Sequence, residues 1–177
     1  KQLPPGRVNI LLMGVDGRAI DPNTPERSDT LILFSVDTIK KTAGILSIPR
    51  DLLMTVPGFG VRKVNAAYAI GEFNKLPGGG QALAVQTISR YLSKNMGGSI
   101  PNKYYVTVNF DGFEKVVDTI GGININVPEE IDDPNYPTPW FGTEHVHFDA
   151  GWQHMDGATA LKYARTRHAD SDFGRIA

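Results

Sequence analysis

The sequence predicts an α/β layered domain, because short apolar runs alternate with stretches of helical periodicity along most of the chain. Three of these runs have the length of buried strands and are bounded by turn residues, namely Val8 to Val15, Leu31 to Val36 and Ala43 to Ile48. A long amphipathic helix follows the glycines at positions 78 to 80, since apolar side chains recur there at steps of three or four residues: Ala82, Val85, Ile88, Leu92 and Met96.

The remaining elements complete the alternating order. Upstream of the long helix, a short helix is predicted from Asn65 through Ile70. Downstream, the patterns predict a strand from Tyr104 to Phe110, a helix from Gly112 to Ile120 capped by Asp111, a half-buried strand through Ile123, Ile125 and Val127, an irregular proline-rich surface segment from Pro128 to Trp140, and a last helix from Asp156-Gly157 through Ala164. We expect a single domain spanning residues 1–177, because no internal repeat or linker divides it.

Composition excludes several classes of protein. With 41% hydrophobic and 21% charged residues, the 177-residue chain is neither disordered nor fibrous. A net charge of −1 and the lack of a helix-turn-helix pattern argue against nucleic-acid binding. Without cysteine there are no disulfides, thiolate metal sites or cysteine nucleophile. No run approaches the roughly 20 apolar residues of a membrane span, so any anchor is expected to lie outside this chain.

Six arginines and five aspartates are concentrated in four short segments. These segments are GVDGR (Gly14 to Arg18), RSDT (Arg27 to Thr30), SIPRD (Ser47 to Asp51) and ARTRHADSDFGR (Ala164 to Arg175). Guanidinium groups keep their charge and bind phosphate oxygens through two parallel hydrogen bonds. The clusters therefore indicate a site for a polyanionic phosphate group, and the carboxylates beside them indicate a hard divalent cation.

Two of the clusters directly follow predicted strands. Asp16 and Arg18 come after the first strand, and Arg50 and Asp51 come after the third. Because open α/β sheets bind ligands beyond the carboxyl ends of their strands, we expect a binding site at both places.

The ordered set of motifs resembles the LytR-CpsA-Psr family of cell-envelope phosphotransferases. The resemblance rests on NILLMGVDGR, RSDTLILFSVD, ILSIPRDLLM, KVNAAYA, GFEKVVDTIGGI and DGATALKYARTRHADSDFGR, which together cover nearly the whole chain. It implies a three-layer α/β/α sandwich with a mixed central sheet, and transfer of a glycopolymer from a polyprenyl pyrophosphate lipid onto peptidoglycan or another envelope acceptor. It also implies a domain held on the extracytoplasmic face of the bacterial cell membrane by an N-terminal transmembrane anchor. We expect this chain to lack that anchor and to be truncated at its C-terminus, because the family continues beyond the DFGR motif.

By the same resemblance, Asp16 and Asp29 would bind Mg²⁺, and Arg50 would be the principal catalytic arginine. Pyrophosphate binding is implied for seven basic residues: Arg18, Arg27, Arg50, Lys63, Arg165, Arg167 and Arg175. Asp172 could accept a proton from the acceptor hydroxyl, or it could be an ion-pair partner of the neighbouring arginines. The residues suit the chemistry, since enzymes assist phosphoryl transfer mainly by positioning and by fixed positive charge.

Other interpretations remain open at this point. A pyrophosphatase or phosphatase acting on the same lipid would use the same arginines and metal. A non-catalytic module that binds anionic lipid or polymer would need the arginines but not Asp16 and Asp29. His145, His147 and Asp149 could mimic a metal site, but their spacing is common and surface histidines are favoured. A polyprenyl donor would also require an apolar cavity between the sheet and the long helix.

Overall fold

A computed structural model describes residues 5–15, 26–96, 104–138 and 142–166 of the chain. The chain forms two compact units, Lys1–Asn109 (unit 1) and Phe110–Ala177 (unit 2). In chain order, unit 1 contains β1 (Arg7–Val15), β2 (Ser28–Asp37), β3 (Thr42–Ser47), β4 (Leu53–Val56), β5 (Gly60–Lys63), α1 (Ala66–Phe73), α2 (Gly79–Asn95) and β6 (Tyr104–Val108). Unit 2 contains α3 (Phe110–Thr119), β7 (Ile123–Val127), β8 (Ile131–Pro137), β9 (Thr143–Phe148), β10 (Gly151–Met155) and α4 (Gly157–Arg165).

Unit 1 is built on a four-stranded mixed sheet in the order β3-β2-β1-β6. β1 pairs antiparallel with β2 and parallel with β6, and β2 pairs antiparallel with β3. One face of the sheet carries the alternate side chains that enter the core of this unit: Leu11, Met13, Val15, Leu31 and Leu33. The three apolar runs therefore form strands of one sheet. The prediction of a buried strand is wrong for β3, whose residues are all exposed because it lies at the edge of the sheet, and only Ile48 beyond its end enters the core.

Helices α1 and α2 pack against each other and contribute to the same core. They approach closely at two glycines, since a Cβ added to Gly80 would lie 2.2 Å from the carbonyl oxygen of Tyr68, and one added to Gly71 would lie 2.6 Å from the Cα of Gly80. Ile88 is fully buried on α2, as its spacing predicts. The prediction is wrong for Met96, which is 64% exposed because α2 ends at the preceding residue.

Unit 2 has its own apolar core, to which α3, α4 and the strand pairs β7-β10 and β8-β9 contribute. Asp156 caps α4 by accepting a 2.8 Å hydrogen bond from the backbone N–H of Thr159. Gly157 is required beside it, because a Cβ there would lie 2.2 Å from the carbonyl oxygen of Glu114 on α3. The predicted last helix is confirmed, with a start fixed by its cap and by this close approach.

The structure corrects two details of the prediction in this unit. The proline-rich segment is not irregular from Pro128 onward, because it contains β8, which pairs antiparallel with β9. Asp111 lies inside the first turn of α3 rather than capping it, because the helix already begins at Phe110. Within the described ranges, no helix combines the length and the apolar character needed to cross a membrane.

Candidate functional site

The loop after β3 holds Arg50 at the end of the sheet. The backbone N–H of Ile48 donates to the carbonyl of Leu31 at 2.8 Å and so extends the β2-β3 pairing by one residue. The chain then turns at Pro49, whose carbonyl accepts a 3.0 Å hydrogen bond from the N–H of Leu52. Because the turn is fixed on both sides, Arg50 has a defined place beside the beginning of β2.

A second segment of unit 1 fixes the same loop from the other side. The N–H of Val64 donates to the carbonyl of Leu52 at 2.9 Å, and the N–H of Asn65 donates to the carbonyl of Arg50 at 3.2 Å. These bonds tie the end of β5 and the start of α1 to the Arg50 loop. As a result, Lys63 lies next to that loop, although 12 positions separate it from Asp51.

Four charged side chains form a continuous chain of ion pairs, which we call the Arg50 cluster: Asp29, Arg50, Asp51 and Lys63. The Arg50 Nη1 atom lies 3.3 Å from Asp29 Oδ1, and its Nε atom lies 3.8 Å from Asp51 Oδ2. Lys63 Nζ donates a short hydrogen bond to Asp51 Oδ1. Between 35% and 57% of each side chain is exposed, so the cluster is open to a ligand from solution.

Asp51 stays ionised within this cluster. The hydrogen bond from the Lys63 ammonium holds the pKa of the Asp51 carboxyl below its usual range, against a smaller opposing effect of burial. The positive charges of Lys63 and Arg50 act in the same direction. Asp51 therefore serves as an anionic bridge between the two cations.

The other predicted site residues of unit 1 differ in what the structure describes. Arg27 is exposed directly before β2, two positions from Asp29. Asp16 and Arg18 lie outside the described residues, so the predicted approach of Asp16 to Asp29 stays a prediction. Among the residues that the structure describes, no group of three or more histidine, aspartate or glutamate side chains could hold a metal ion.

Arg165 lies in unit 2, at the last position of α4. Its Nη1 atom donates a 2.8 Å hydrogen bond to the phenol oxygen of Tyr136. Its guanidinium carbon stands 4.4 Å from the ring centre of Phe110 and 5.2 Å from that of Tyr136, within the range of cation–π attraction. The predicted residues Arg167, Asp172 and Arg175 lie outside the described residues.

The histidines predicted to share a face of a strand lie on β9. His145 contacts the carboxylate of Asp132 on β8, and His147 stands 3.5 Å from the same oxygen. His147 also lies 3.2 Å from Asp149. These contacts raise the pKa of His147 above its ordinary value of 6.5, chiefly through the hydrogen bond with Asp149.

Sequence reasoning missed three residues that position the basic groups. Asp51 was noted only as a neighbour of Arg50, and its pairing with Lys63 depends on the hairpin of β4 and β5, which no pattern predicted. Phe110 was assigned to the end of a strand, and Tyr136 was assigned to an irregular surface segment. Their contact with Arg165 could not be inferred from local spacing, because 29 positions separate Tyr136 from Arg165.

Comparisons with known proteins identify the family to which the chain is similar. The family model described as the LytR_cpsA_psr family matches residues 2–177. The chain is 36% identical over 170 residues to the polyisoprenyl-teichoic acid–peptidoglycan teichoic acid transferase TagU of Oceanobacillus iheyensis, covering 95% of this chain and 47% of TagU. In structure it is similar to B. subtilis TagV, with a TM-score of 0.77 and 34% identity over 98% of this chain and 61% of TagV. It is also similar to YwtF (TagT) with bound octaprenyl pyrophosphate lipid, with a TM-score of 0.68 and 32% identity over 94% of this chain and 60% of that protein.

The chain belongs to the LytR-CpsA-Psr family. The family resemblance of its motifs is thereby confirmed, as is the predicted α/β fold with a mixed central sheet. The chain spans about half the length of TagU, 47%, so the activity of a whole family member does not follow from the match alone.

Proposed function

We propose that this domain transfers a glycopolymer from a polyprenyl pyrophosphate lipid onto peptidoglycan or another cell-envelope acceptor. The observation that carries the proposal is the Arg50 cluster, in which Asp51 pairs with both Arg50 and Lys63 at the end of the sheet. Family membership supports the same conclusion, since one relative is named a teichoic acid transferase and another binds octaprenyl pyrophosphate.

Arg50 and Lys63 supply fixed positive charge to the pyrophosphate. Arg50 is anchored by its backbone to Asn65 and by its side chain to Asp29, so its position needs little reorganisation when the donor binds. The guanidinium can form two parallel hydrogen bonds to phosphate oxygens, whereas the Lys63 ammonium contributes a point charge. We assign Arg18, Arg27, Arg165, Arg167 and Arg175 to the same pyrophosphate-binding role by the family resemblance.

The transfer step requires an attacking oxygen and a leaving phosphate. A hydroxyl oxygen of the acceptor attacks the phosphorus that carries the glycopolymer, and the bond from that phosphorus to the bridging oxygen breaks. Polyprenyl phosphate leaves with the bonding electrons, and the hydroxyl proton passes to a base, for which we propose Asp172. Fixed arginines stabilise the negative charge that grows on the bridging and non-bridging oxygens.

Mg²⁺ is the cofactor that we propose, held by Asp16 and Asp29. The Asp29 carboxylate fits this role, because the side chain is 49% exposed and lies 3.3 Å from Arg50, the arginine proposed to bind the pyrophosphate. A site with one or two carboxylates that leaves positions for substrate phosphates is typical of Mg²⁺. When bound there, the ion would neutralise charge on the pyrophosphate.

The proposed place of the domain is the extracytoplasmic face of the cell membrane, where a lipid-linked donor and peptidoglycan meet. A transmembrane anchor outside this chain would hold it there. Nucleic acid is not among the proposed partners, because the net charge of −1 provides no overall attraction for a polyanion.

Turnover of a labelled lipid-linked donor tests the proposal against a module that only binds. The assay measures donor consumption and donor binding with Mg²⁺ and after its removal by a chelator. We expect consumption to stop without Mg²⁺ while binding of the donor persists. Binding without any consumption in the presence of Mg²⁺ and acceptor would contradict the proposed activity.

A further inference from the structure

Among the described residues, Arg165 contacts aromatic side chains rather than carboxylates. Within the described part of the chain, its contacts are the hydroxyl of Tyr136 and the rings of Phe110 and Tyr136. The nearby carboxylate of Glu144 is instead paired with Lys162 at 3.0 Å. A phenol and two ring faces hold a guanidinium in place without neutralising its charge.

The geometry of these contacts leaves part of the guanidinium available. Tyr136 accepts a hydrogen bond from Nη1, and the guanidinium carbon lies over the ring of Phe110. The Nε and Nη2 atoms make no hydrogen bond within the described residues. These two atoms form the edge that commonly binds carboxylate or phosphate oxygens in pairs.

Tyr136 is itself rigidly placed. Its side chain is only 3% exposed and belongs to the core of unit 2. Burial raises the pKa of the Tyr136 phenol above its ordinary value, so the group stays neutral. A neutral phenol accepts the bond from Arg165 without offering a negative charge that would compete with a phosphate.

The residue after Arg165 is anchored to the same strand. Thr166 Oγ1 donates a 2.9 Å hydrogen bond to Asp133 Oδ2, and Asp133 is 2% exposed. Asp133 Oδ1 also accepts from the backbone N–H of Asn135 at 3.0 Å, at the point where the β8-β9 register shifts. Two neighbouring residues at the end of α4 are therefore tied to one irregularity in β8.

We propose that Tyr136 is a positioning residue, which together with Phe110 orients Arg165 so that its free edge binds a phosphate of the donor. The inference rests on the proposed function, because it assigns Arg165 to the pyrophosphate. Loss of the Tyr136 hydroxyl frees the guanidinium to rotate, which weakens binding of the anion and leaves the core packing in place.

The test uses Tyr136→Phe, with Tyr163→Phe as the matched control. Both changes remove one phenol hydroxyl from unit 2, but the ring of Tyr163 packs edge-on against Phe148 at 5.4 Å between ring centres. The probe is polyprenyl pyrophosphate, and its dissociation constant is measured by titration calorimetry. We expect Tyr136→Phe to weaken binding about tenfold, as is typical for the loss of a hydrogen bond to a charged group. Tyr163→Phe should leave the dissociation constant unchanged.

A double-mutant cycle separates positioning from a structural role. In an Arg165→Ala background, Tyr136→Phe should have no further effect on binding, since the group that it orients is gone. An equal loss in both backgrounds would show a general structural effect and overturn the proposal. A second pair of variants changes Phe110. Phe110→Leu should weaken binding, whereas Phe110→Tyr should bind as tightly as the unaltered protein, because tyrosine keeps the aromatic face.

The outcomes also distinguish this inference from the proposed function. If the unaltered protein binds no polyprenyl pyrophosphate, the proposed function fails. If it binds the lipid and Tyr136→Phe binds equally well, only the positioning role of Tyr136 fails.

Discussion

Replacing Arg50 separates its contribution to catalysis from its contribution to stability. The ion pairs at 3.3 Å to Asp29 and 3.8 Å to Asp51 involve a side chain that is 35% exposed. Pairs of this kind contribute about 0 to 1 kcal/mol each, because solvent screens them. We therefore expect Arg50→Ala to lower the melting temperature by only about 2–4 °C, the shift that 1 kcal/mol gives in a domain of this size.

The effect on transfer should be far larger. Removing one preorganised donor from a site that stabilises developing negative charge typically lowers kcat by about 10²- to 10³-fold, or roughly 2.7–4 kcal/mol. Arg50→Ala should lose at least that factor, since it removes a full charge as well as two donors. Arg50→Lys keeps the charge but cannot form two parallel hydrogen bonds, so we expect its kcat to stay about tenfold or more below that of the unaltered protein.

The assay follows label passing from a lipid-linked donor to the acceptor under single-turnover conditions, with thermal unfolding measured on the same samples. Arg62 provides the matched control, because it neighbours Lys63 on β5 and its side chain donates only to the carbonyl of Val61, at 2.7 Å, within the described residues. Arg62→Ala should transfer normally. Full activity of Arg50→Ala or Arg50→Lys would remove Arg50 from the mechanism.

Three further predictions concern the metal, the lipid and a surface histidine. Asp16→Asn and Asp29→Asn should each raise the Mg²⁺ concentration needed for half-maximal transfer, measured by metal titration; an unchanged requirement in both would refute the assignment. Polyprenyl pyrophosphate should bind far more tightly than inorganic pyrophosphate by calorimetry, and equal affinities would argue against an apolar cavity for the tail. The pKa of His147 should lie above 6.5 by NMR titration and should fall in Asp149→Asn. Because this pKa is raised on folding, its contribution to stability is present below pH 6.5 and is lost as pH rises through the folded value. A measured His147 pKa of 6.5 or lower would contradict this prediction.

The strands around the Arg50 cluster were predictable because a strand that is buried on one or both faces has a recognisable pattern of apolar residues. The apolar runs of β1 and β2 place Leu11 and Leu33 in the core, and the turn at Pro49 marks where the third strand ends. The position of Arg50 at the end of the sheet followed from that boundary. The ion pair of Arg50 with Asp29 could not be predicted, because it depends on β2 and β3 being neighbours in the sheet.

β8 was missed because its prolines suggested a loop. Pro134 lies between Asp133 and Tyr136, where the register with β9 shifts, and a proline is tolerated there because no ladder hydrogen bond is needed. Pro137 is exposed at the end of the strand. Between them, Tyr136 is buried, and its role beside Arg165 arises only when α4 packs near this strand within unit 2.

A donor labelled at the phosphorus that carries the glycopolymer provides the most direct measurement of the proposed transfer. The label is followed by mass spectrometry after incubation with peptidoglycan and Mg²⁺. Transfer predicts that the labelled phosphorus becomes part of a phosphodiester on peptidoglycan, with one equivalent of unlabelled polyprenyl phosphate released. Recovery of the label in a soluble phosphorylated saccharide would instead identify hydrolysis by water and contradict the account.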